Sequence, residues 1–267
     1  MSLRKASVAG TFYPANCNEI KRYIEHFNTT LDDAGWVSKS VFRARALISP
    51  HAGYVYSGFS ANAAYRSIAH LKPKRIVVLG PSHRVLINGA SIAKYDRYET
   101  PCGELDIDVA YSKKIEDRFG YITFDPQAHS EHSTETQIPF IDYYFKNIPI
   151  VEIVYGKIEH KEMTQVLDFL LQDRDNLLVI STDLSHYYDQ HTAKKLDNIC
   201  LQAIVAMDME LLDAGCEACG MIGVKALIDA ANKIDLGSSI IDYRTSADAS
   251  GDTSQVVGYM SAVFYEK

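Results

Sequence analysis

Nowhere in this sequence does an apolar run approach the roughly 20 residues that a membrane-spanning helix needs, so no segment is a candidate span. Positive charge is in short supply too. With 27 Lys and Arg against 34 Asp and Glu, the formal net charge is −7, and no overall basic field draws the chain to nucleic acid or to an anionic membrane surface. The opening residues, MSLRKASVAGTFYP, lack the apolar stretch of a secretory signal. Cysteine is sparse and odd in number: Cys17, Cys102, Cys200, Cys216 and Cys219. The expectation is therefore a cytoplasmic chain with reduced thiols and no disulfide framework. Cys216 and Cys219 have C-x-x-C spacing, but no second such pair exists, which excludes a four-cysteine zinc ribbon. Walker A, G-x-G-x-x-G, G-x-S-x-G and H-E-x-x-H motifs are all missing, so phosphate-loop, dinucleotide, serine-hydrolase and zinc-protease readings have no support. There is no Gly/Ser-rich or Pro-rich linker and no low-complexity stretch to divide the chain.

What is present is a repeated pattern. Three short runs rich in Val, Ile and Leu each stop at Pro or Ser and lead into a histidine loop: RALISPHAGY with His51, RIVVLGPSHR with His83, and LLVISTDLSHYY with Asp183 and His186. Such runs read as buried parallel strands that deliver polar side chains at their carboxyl ends, which is where open α/β sheets bind ligands. Strands are expected at residues 44–49, 75–79, 91–94, 149–155 and 176–181, with a closing strand in SQVVGYMSAVFYE. Helices are expected at 18–31, 61–71, 108–119, 137–145, 160–171, 193–207 and 223–232. The strand, helix, strand order of 44–79 makes its two strands parallel, and they are read as neighbours. The alternation predicts one three-layer α/β/α domain over 1–267 with a mainly parallel or mixed central sheet. At 47% hydrophobic, the chain can fill such a core.

Two histidines in equivalent strand-end positions favour a metal over two turn-filling side chains, because neutral imidazole binds Fe(II), Cu and Zn well. A third donor is needed. Cys219 precedes a helical pattern whose dipole favours the thiolate; the alternative is a small buried hydrophobe, and Cys216 competes on spacing. Asp183 can orient an imidazole or accept a proton, or simply cap a turn. His186 can act as a general base or a further ligand, or pack with Tyr187 and Tyr188 under a loop. The segment AHSEHSTETQIPF holds His129, Glu131, His132 and Glu135. One or more of these can face a cleft, while Thr134 and Gln137 fit a capping box and Glu135 fits a solvated helix start.

These residues resemble a known family. SPHAGYVYSG, VVLGPSH, EHSTETQIPF, VYG, STDLSHY, ACG and the stretch from Asp242 to Met260 are similar to the Memo family, which includes protein B of the AmmeMemoRadiSam set. The resemblance runs from AGTFYP to the final strand. It implies the fold of class III extradiol dioxygenases, which hold Fe(II) with two histidines and a carboxylate. It implies that His51 and His83 are the metal histidines and that Cys219 stands where the dioxygenases have a glutamate. Asp183, His186 and His132 become pocket residues, with His186 at the acid/base position. The stretch after Cys219 passes straight to Met221 and is shorter than in many Memo sequences. A thiolate in place of a carboxylate softens the donor set toward Cu(I), Zn or thiolate-bound iron, and a shared fold does not carry an activity with it.

The resulting expectation is a non-haem metal-dependent oxidoreductase with a His-His-Cys site, with Fe(II) as cofactor and Cu or Zn as the alternatives. Other readings are a non-catalytic metal- or phosphopeptide-binding adaptor, whose cleft Tyr54, Tyr56, Tyr187 and Tyr188 would line, and a partner in radical-SAM-dependent modification. A metal hydrolase would need Glu131 or Asp183 as base. Expected ligands are an unidentified small molecule or peptide and a radical-SAM protein partner, with no nucleic acid or membrane.

Overall fold

A computed structural model describes residues 2–35 and 43–267. The apolar runs become strands that are buried along their whole length, as their lack of alternation demands. Across the main sheet the order is His186–Tyr188, Val256–Glu266, Ala44–Ser49, Asn176–Ser181, Arg75–Pro81, Ile150–Tyr155, Ala90–Ile92 and Ile122–Thr123, with Leu236–Thr245 also paired to Val256–Glu266. The four strands from Ala44–Ser49 to Ile150–Tyr155 are parallel. Val256–Glu266 joins one side antiparallel and Ala90–Ile92 the other. The sheet is therefore mixed, with a parallel centre. One expectation is corrected. Ala44–Ser49 and Arg75–Pro81 are parallel but not neighbours, because Asn176–Ser181 lies between them and bonds to both. A local strand, helix, strand pattern gives direction but does not reveal a later strand inserted between the first two.

Successive side chains of the central strands point to opposite faces, and each face has its own helix layer. Leu47, Val78 and Val179 meet Ile20 and Ile24 of helix Cys17–Asp33, Ala64 and Tyr65 of helix Tyr54–Ser67, and Phe140 of helix Ile138–Tyr144. Ile48, Leu79 and Ile180 meet Val166 and Leu167 of helix His160–Gln172, Val224 and Leu227 of helix Met221–Lys233, and Ala203 of helix Gln190–Ala206. Burying each Leu, Ile, Val or Phe among them stabilises the fold by about 1.5–3 kcal/mol. Helix starts follow local chemistry: Asn16 accepts from the Asn18 and Glu19 N–H groups, and Asp189 from those of His191 and Thr192.

Helix Tyr54–Ser67 begins seven residues before its expected start. Its small residues, from Ser57 and Gly58 to Ala64, are buried around most of the helix, so the sequence has no apolar stripe to mark the first turns. Strand Leu236–Thr245, the hairpin of Arg97–Thr100 and Gly103–Asp106, and helix Met209–Asp213 were not foreseen. Their sequences are short or mix polar and apolar residues without a clear period. Among the described residues, no helix is long and apolar enough to cross a membrane.

The cysteine expectation is also overturned. Cys17 bridges to Cys102 and Cys200 to Cys216, each with Cα atoms 4.7 Å apart, and Cys219 is the free thiol. Folding brings together residues 85 and 16 positions apart in sequence, a proximity that an odd cysteine count cannot disclose. The first bridge ties the start of a helix to the hairpin turn. The second fixes the segment that leads into Cys219.

The chain's entry segment is held by a buried ionic network. Leu3–Arg4 pairs with Arg97–Thr100. The Arg4 guanidinium contacts Glu135, lies 3.4 Å from Glu152 and covers the Tyr98 ring at 4.5 Å. Glu135 also accepts from the backbone N–H groups of Ser7 and Val8 and the Tyr13 hydroxyl, each at 2.8 Å. It is wholly buried, so the solvated-helix-start reading of Glu135 is wrong. Removing one partner of a buried ion pair leaves the other uncompensated and costs roughly 3–5 kcal/mol. Urea unfolding of Glu135→Ala should show a loss of about that size, with a smaller loss for Glu135→Gln. A loss below about 1 kcal/mol, the level of a surface pair, would mean that Glu135 does not hold the entry segment.

Candidate metal centre

Because the three parallel strands are in register, with Ser49 opposite Ser181 and Leu79 opposite Ile180, their following loops leave from one edge of the sheet. Asp183 ties two of these loops together: its Oδ1 accepts from the His51 backbone N–H at 2.8 Å. The His51 ring is buried, and its Nδ1 lies 2.9 Å from Ser181 Oγ. Ser181 has one hydroxyl proton, which it donates to the Ser133 carbonyl at 2.5 Å. The hydroxyl must therefore accept from His51, so Nδ1 carries the proton and Nε2 is the coordinating nitrogen. Gln137 Nε2 completes the arrangement, donating to Ser181 Oγ at 2.9 Å and to the Pro50 carbonyl at 2.8 Å.

The EHSTETQ segment reaches the same edge because Gly80 allows it. A Cβ at Gly80 would lie 2.5 Å from Ser133 Oγ and 2.9 Å from Thr134 Cγ2, so only glycine permits the segment to close on the strand that carries His83. The capping box expected from Thr134 and Gln137 does not form. Thr134 Oγ1 instead donates to Glu152 at 2.6 Å, and Glu131 caps helix His132–Glu135. The rings of His51, His83 and His132 approach to centroid distances of 5.2, 5.4 and 4.8 Å. One ligand atom from each lies within 4.8 Å of the others, a spacing that can hold a metal ion. Phe12 covers His132 at 4.5 Å.

Cys219 stands beside this triad. Its Sγ is 3.3 Å from His51 Nε2 and accepts from the Asp183 backbone N–H at 3.2 Å. Gly220 permits the approach, since a Cβ there would meet the Thr182 side chain at 2.7 Å. Cys216, the rival on spacing, has its sulfur committed to Cys200. Burial opposes ionisation of Cys219, yet the His51 and His83 imidazoles outweigh it and bring the thiol down to about 5. Burial likewise opposes protonation of His83, but its bonds to Cys219 and Glu131 raise it to about 10. For His51, too, the Cys219 and Asp183 charges overcome burial and raise the ring above its ordinary value. Imidazole nitrogens and a ready thiolate form a donor set that suits a borderline or soft transition metal.

The other sequence candidates fall as follows. His186 lies outside the three-imidazole set. Its Nδ1 bonds the Leu184 carbonyl at 2.7 Å, and its ring packs against Tyr187. A bulge between His186 and Tyr188 sets its aim, with Tyr187 in the left-handed region at φ 66°. Tyr54 is core, its hydroxyl bonded to the Thr136 carbonyl, whereas Tyr56 and Tyr187 are exposed and Tyr188 bonds Glu217. His129 is buried against Glu152 and Ser91, away from the triad. Glu131 is 1% exposed and saturated with donors; burial opposes its charge, but His132 and His83 hold it well below the carboxylate range, leaving a poor base for the hydrolase reading. Sequence reasoning missed Ser181, Gln137 and Ser133 as supports. The one available signal was a serine closing a strand just before Asp183.

The lowered Cys219 thiol predicts a reactivity that does not depend on any metal. A thiolate with a pKa about 5 remains ionised at pH 6, where an ordinary cysteine, at about 8.5, is protonated. Alkylation of the metal-free protein by iodoacetamide should follow a midpoint near 5, shifting upward in His51→Ala. A midpoint above about 8 would mean that the imidazoles do not stabilise the thiolate.

The family described as Memo-like protein matches residues 4–263. A MEMO1 family protein of Aquifex aeolicus is 34% identical over 99% of this chain and 100% of its own length. One of Nitrosopumilus maritimus is 31% identical over 98% and 99%. A crystal structure of the uncharacterised protein JW3007 of Escherichia coli K12 superposes with a TM-score of 0.55 at 14% identity, covering 83% of this chain and 99% of that one, and so shares the fold alone. With the strand-end histidines, the EHS segment and the ACG thiol gathered at one sheet edge, and with near-complete coverage of such relatives, this chain belongs to the Memo family.

Proposed function

We propose that the chain is a metal-dependent oxidoreductase with a non-haem, dioxygenase-like site built on His51 and His83. The observation that carries this reading is the set of three imidazoles with ligand atoms within 4.8 Å of one another and a thiol 3.3 Å from His51 Nε2. Fe(II) is the first choice and Cu or Zn the alternatives; an ion of this kind would supply redox and Lewis-acid chemistry. The protein residues divide the remaining work. Ser181 keeps the Nε2 of His51 free, and Asp183 holds the His51 loop. His186 bonds a carbonyl through Nδ1, so that nitrogen carries the proton and Nε2 is free to act as acid or base. Two residues compete for the third ligand position. We assign it to Cys219, as the softer and already ionised donor, and leave His132 to move protons at the same edge. A peptide-binding adaptor is the second reading, favoured by the exposure of Tyr56 at 45% and Tyr187 at 73%.

Anaerobic reconstitution should load a stoichiometric redox metal that the His51→Ala, His83→Ala double variant fails to retain. Equal metal in the two proteins would refute the site. In the Co(II) form, a thiolate charge-transfer band should vanish in Cys219→Ser and survive in His132→Ala. A wild-type Co(II) protein without that band, together with loss of metal in His132→Ala, would put His132 in the third position. O₂ uptake over catechol-type compounds tests turnover; none with any of them, together with peptide binding that survives loss of the ligands, would favour the adaptor.

Metal affinity should also depend on pH in a defined direction. A raised ring pKa means that the proton on His83, held to about 10, must leave before the nitrogen can coordinate. Co(II) affinity should therefore climb from about pH 6 to about pH 9 with proton release, seen by calorimetry in buffers of different ionisation enthalpy. A flat profile would contradict the imidazolium–thiolate pairing.

A further inference from the structure

Glu131 lies between two of the three imidazoles. Its Oε2 accepts from the backbone N–H groups of His83 at 2.6 Å and Arg84 at 3.2 Å. Its Oε1 accepts from those of His132 at 2.8 Å and Ser133 at 3.4 Å. The same Oε1 faces Nδ1 of His132 at 2.7 Å and Nδ1 of His83 at 3.5 Å. One buried carboxylate thus joins the loop after strand Arg75–Pro81 to the start of helix His132–Glu135 and meets both rings on the same nitrogen.

We infer that Glu131 is a positioning residue that keeps the Nδ1 proton on both His83 and His132, so that each ring presents a bare Nε2 to the centre. The reason is chemical. An ionised carboxylate has no proton to give, so a ring nitrogen that faces it must be the donor. The two nitrogens of an imidazole lie on opposite sides of the ring, so Nε2 is directed away from Glu131. His83 also bonds Cys219, and because a thiolate can only accept, the ring carries a second proton toward it until that proton is lost or displaced. For His132 the Nδ1–H is out of line with Oε1 despite the short separation, so the pull on that ring is electrostatic rather than directional. His51 reaches the same state by a different device, the Ser181 hydroxyl. Three rings held in one tautomer by two unrelated partners leave two bare nitrogens, on His51 and His83, for the ion and a third, on His132, to take up a proton.

The inference rests on reading the cluster as a metal site, but its first test does not. Ring ¹⁵N NMR of the metal-free protein, at alkaline pH where the rings are neutral, should show both His83 and His132 protonated at Nδ1. Water alone favours the Nε2–H form, so finding that form on both rings in the wild type would overturn the proposal without any variant. In Glu131→Gln only one end of the side chain can accept, and at least one ring should revert to Nε2–H. A role confined to stapling the two loops would lower the melting temperature of Glu131→Gln and leave both tautomers unchanged, which would also overturn the proposal. The second readout is Zn(II) affinity, expected to weaken about 10- to 100-fold in folded Glu131→Gln. Wild-type affinity in that variant would count against positioning, whereas absence of Zn(II) binding in the wild type would count against the metal site and leave the NMR result to decide the tautomers. Should Glu131→Gln not fold, Glu131→Asp keeps the charge and should keep the Nδ1–H form.

Discussion

Ser181 has a single hydroxyl proton, and the site is arranged around where that proton goes. The Ser133 carbonyl takes it, so every other partner of the oxygen must donate: His51 through Nδ1 and Gln137 through Nε2. A last-strand residue, a strand-end loop and the EHSTETQ segment are thereby locked to one another through one atom. The lock also sets the chemistry of the ring, because with Nδ1 committed to Ser181 it is Nε2 that faces Cys219, and the proton it takes up beside the thiolate is the one a metal would displace. A carbonyl at that place permits no other choice, whereas a second hydroxyl could have shared the proton and left both tautomers open.

The central fold was legible because the physics there is local. Strands buried on both faces must be continuously apolar, and those at 44–49, 150–155 and 176–181 were readable within a residue. The histidine loops were legible for the same reason, since a polar ring after such a run has few places to go except the carboxyl edge. Whatever depended on neighbours in space was not legible. The insertion of Asn176–Ser181 between Ala44–Ser49 and Arg75–Pro81 arises a hundred residues later in the chain. The pairing of four cysteines is set by Cα separations that no spacing rule gives. His132 was read as a pocket residue, and its entry into the imidazole set depends on Gly80 leaving room for Ser133 and Thr134. The close approach is encoded by what glycine omits.

Behind the triad, a second polar cluster shows how much structure is spent holding the EHS segment. Ser91 Oγ lies 2.9 Å from His129 Nε2, and His129 Nδ1 lies 2.7 Å from Glu152 Oε2. That is the bond order of a nucleophilic triad, yet all three side chains are buried and no substrate reaches the serine. Its work is positional. Burial opposes the Glu152 charge, but Arg4 and His129 hold the carboxyl down to about 2, and Thr134 Oγ1 is bonded to it. Arg4 bonds the Glu131 carbonyl at 3.3 Å and pairs with Glu135. Both flanks of His132 are fixed to charges that are costly to expose and costlier to leave unpaired, so the ring stays in place without direct bonds from the network.

A cysteine beside the strand-end histidines, in place of a harder carboxylate, changes what the empty and loaded states would require. The Cys219 thiolate has its offset in the rings themselves, because His51 and His83 take up protons in response to it. An entering divalent ion displaces ring protons rather than adding to them, so the charge buried at the sheet edge changes little. Desolvated charge is the costly quantity in such a place, and an exchange of this kind would keep it nearly constant. The same exchange limits affinity, since every ring proton held firmly is one the metal must displace. A thiolate paired with two imidazoles therefore makes the pocket soft and sensitive to pH at once, at the edge of a parallel sheet.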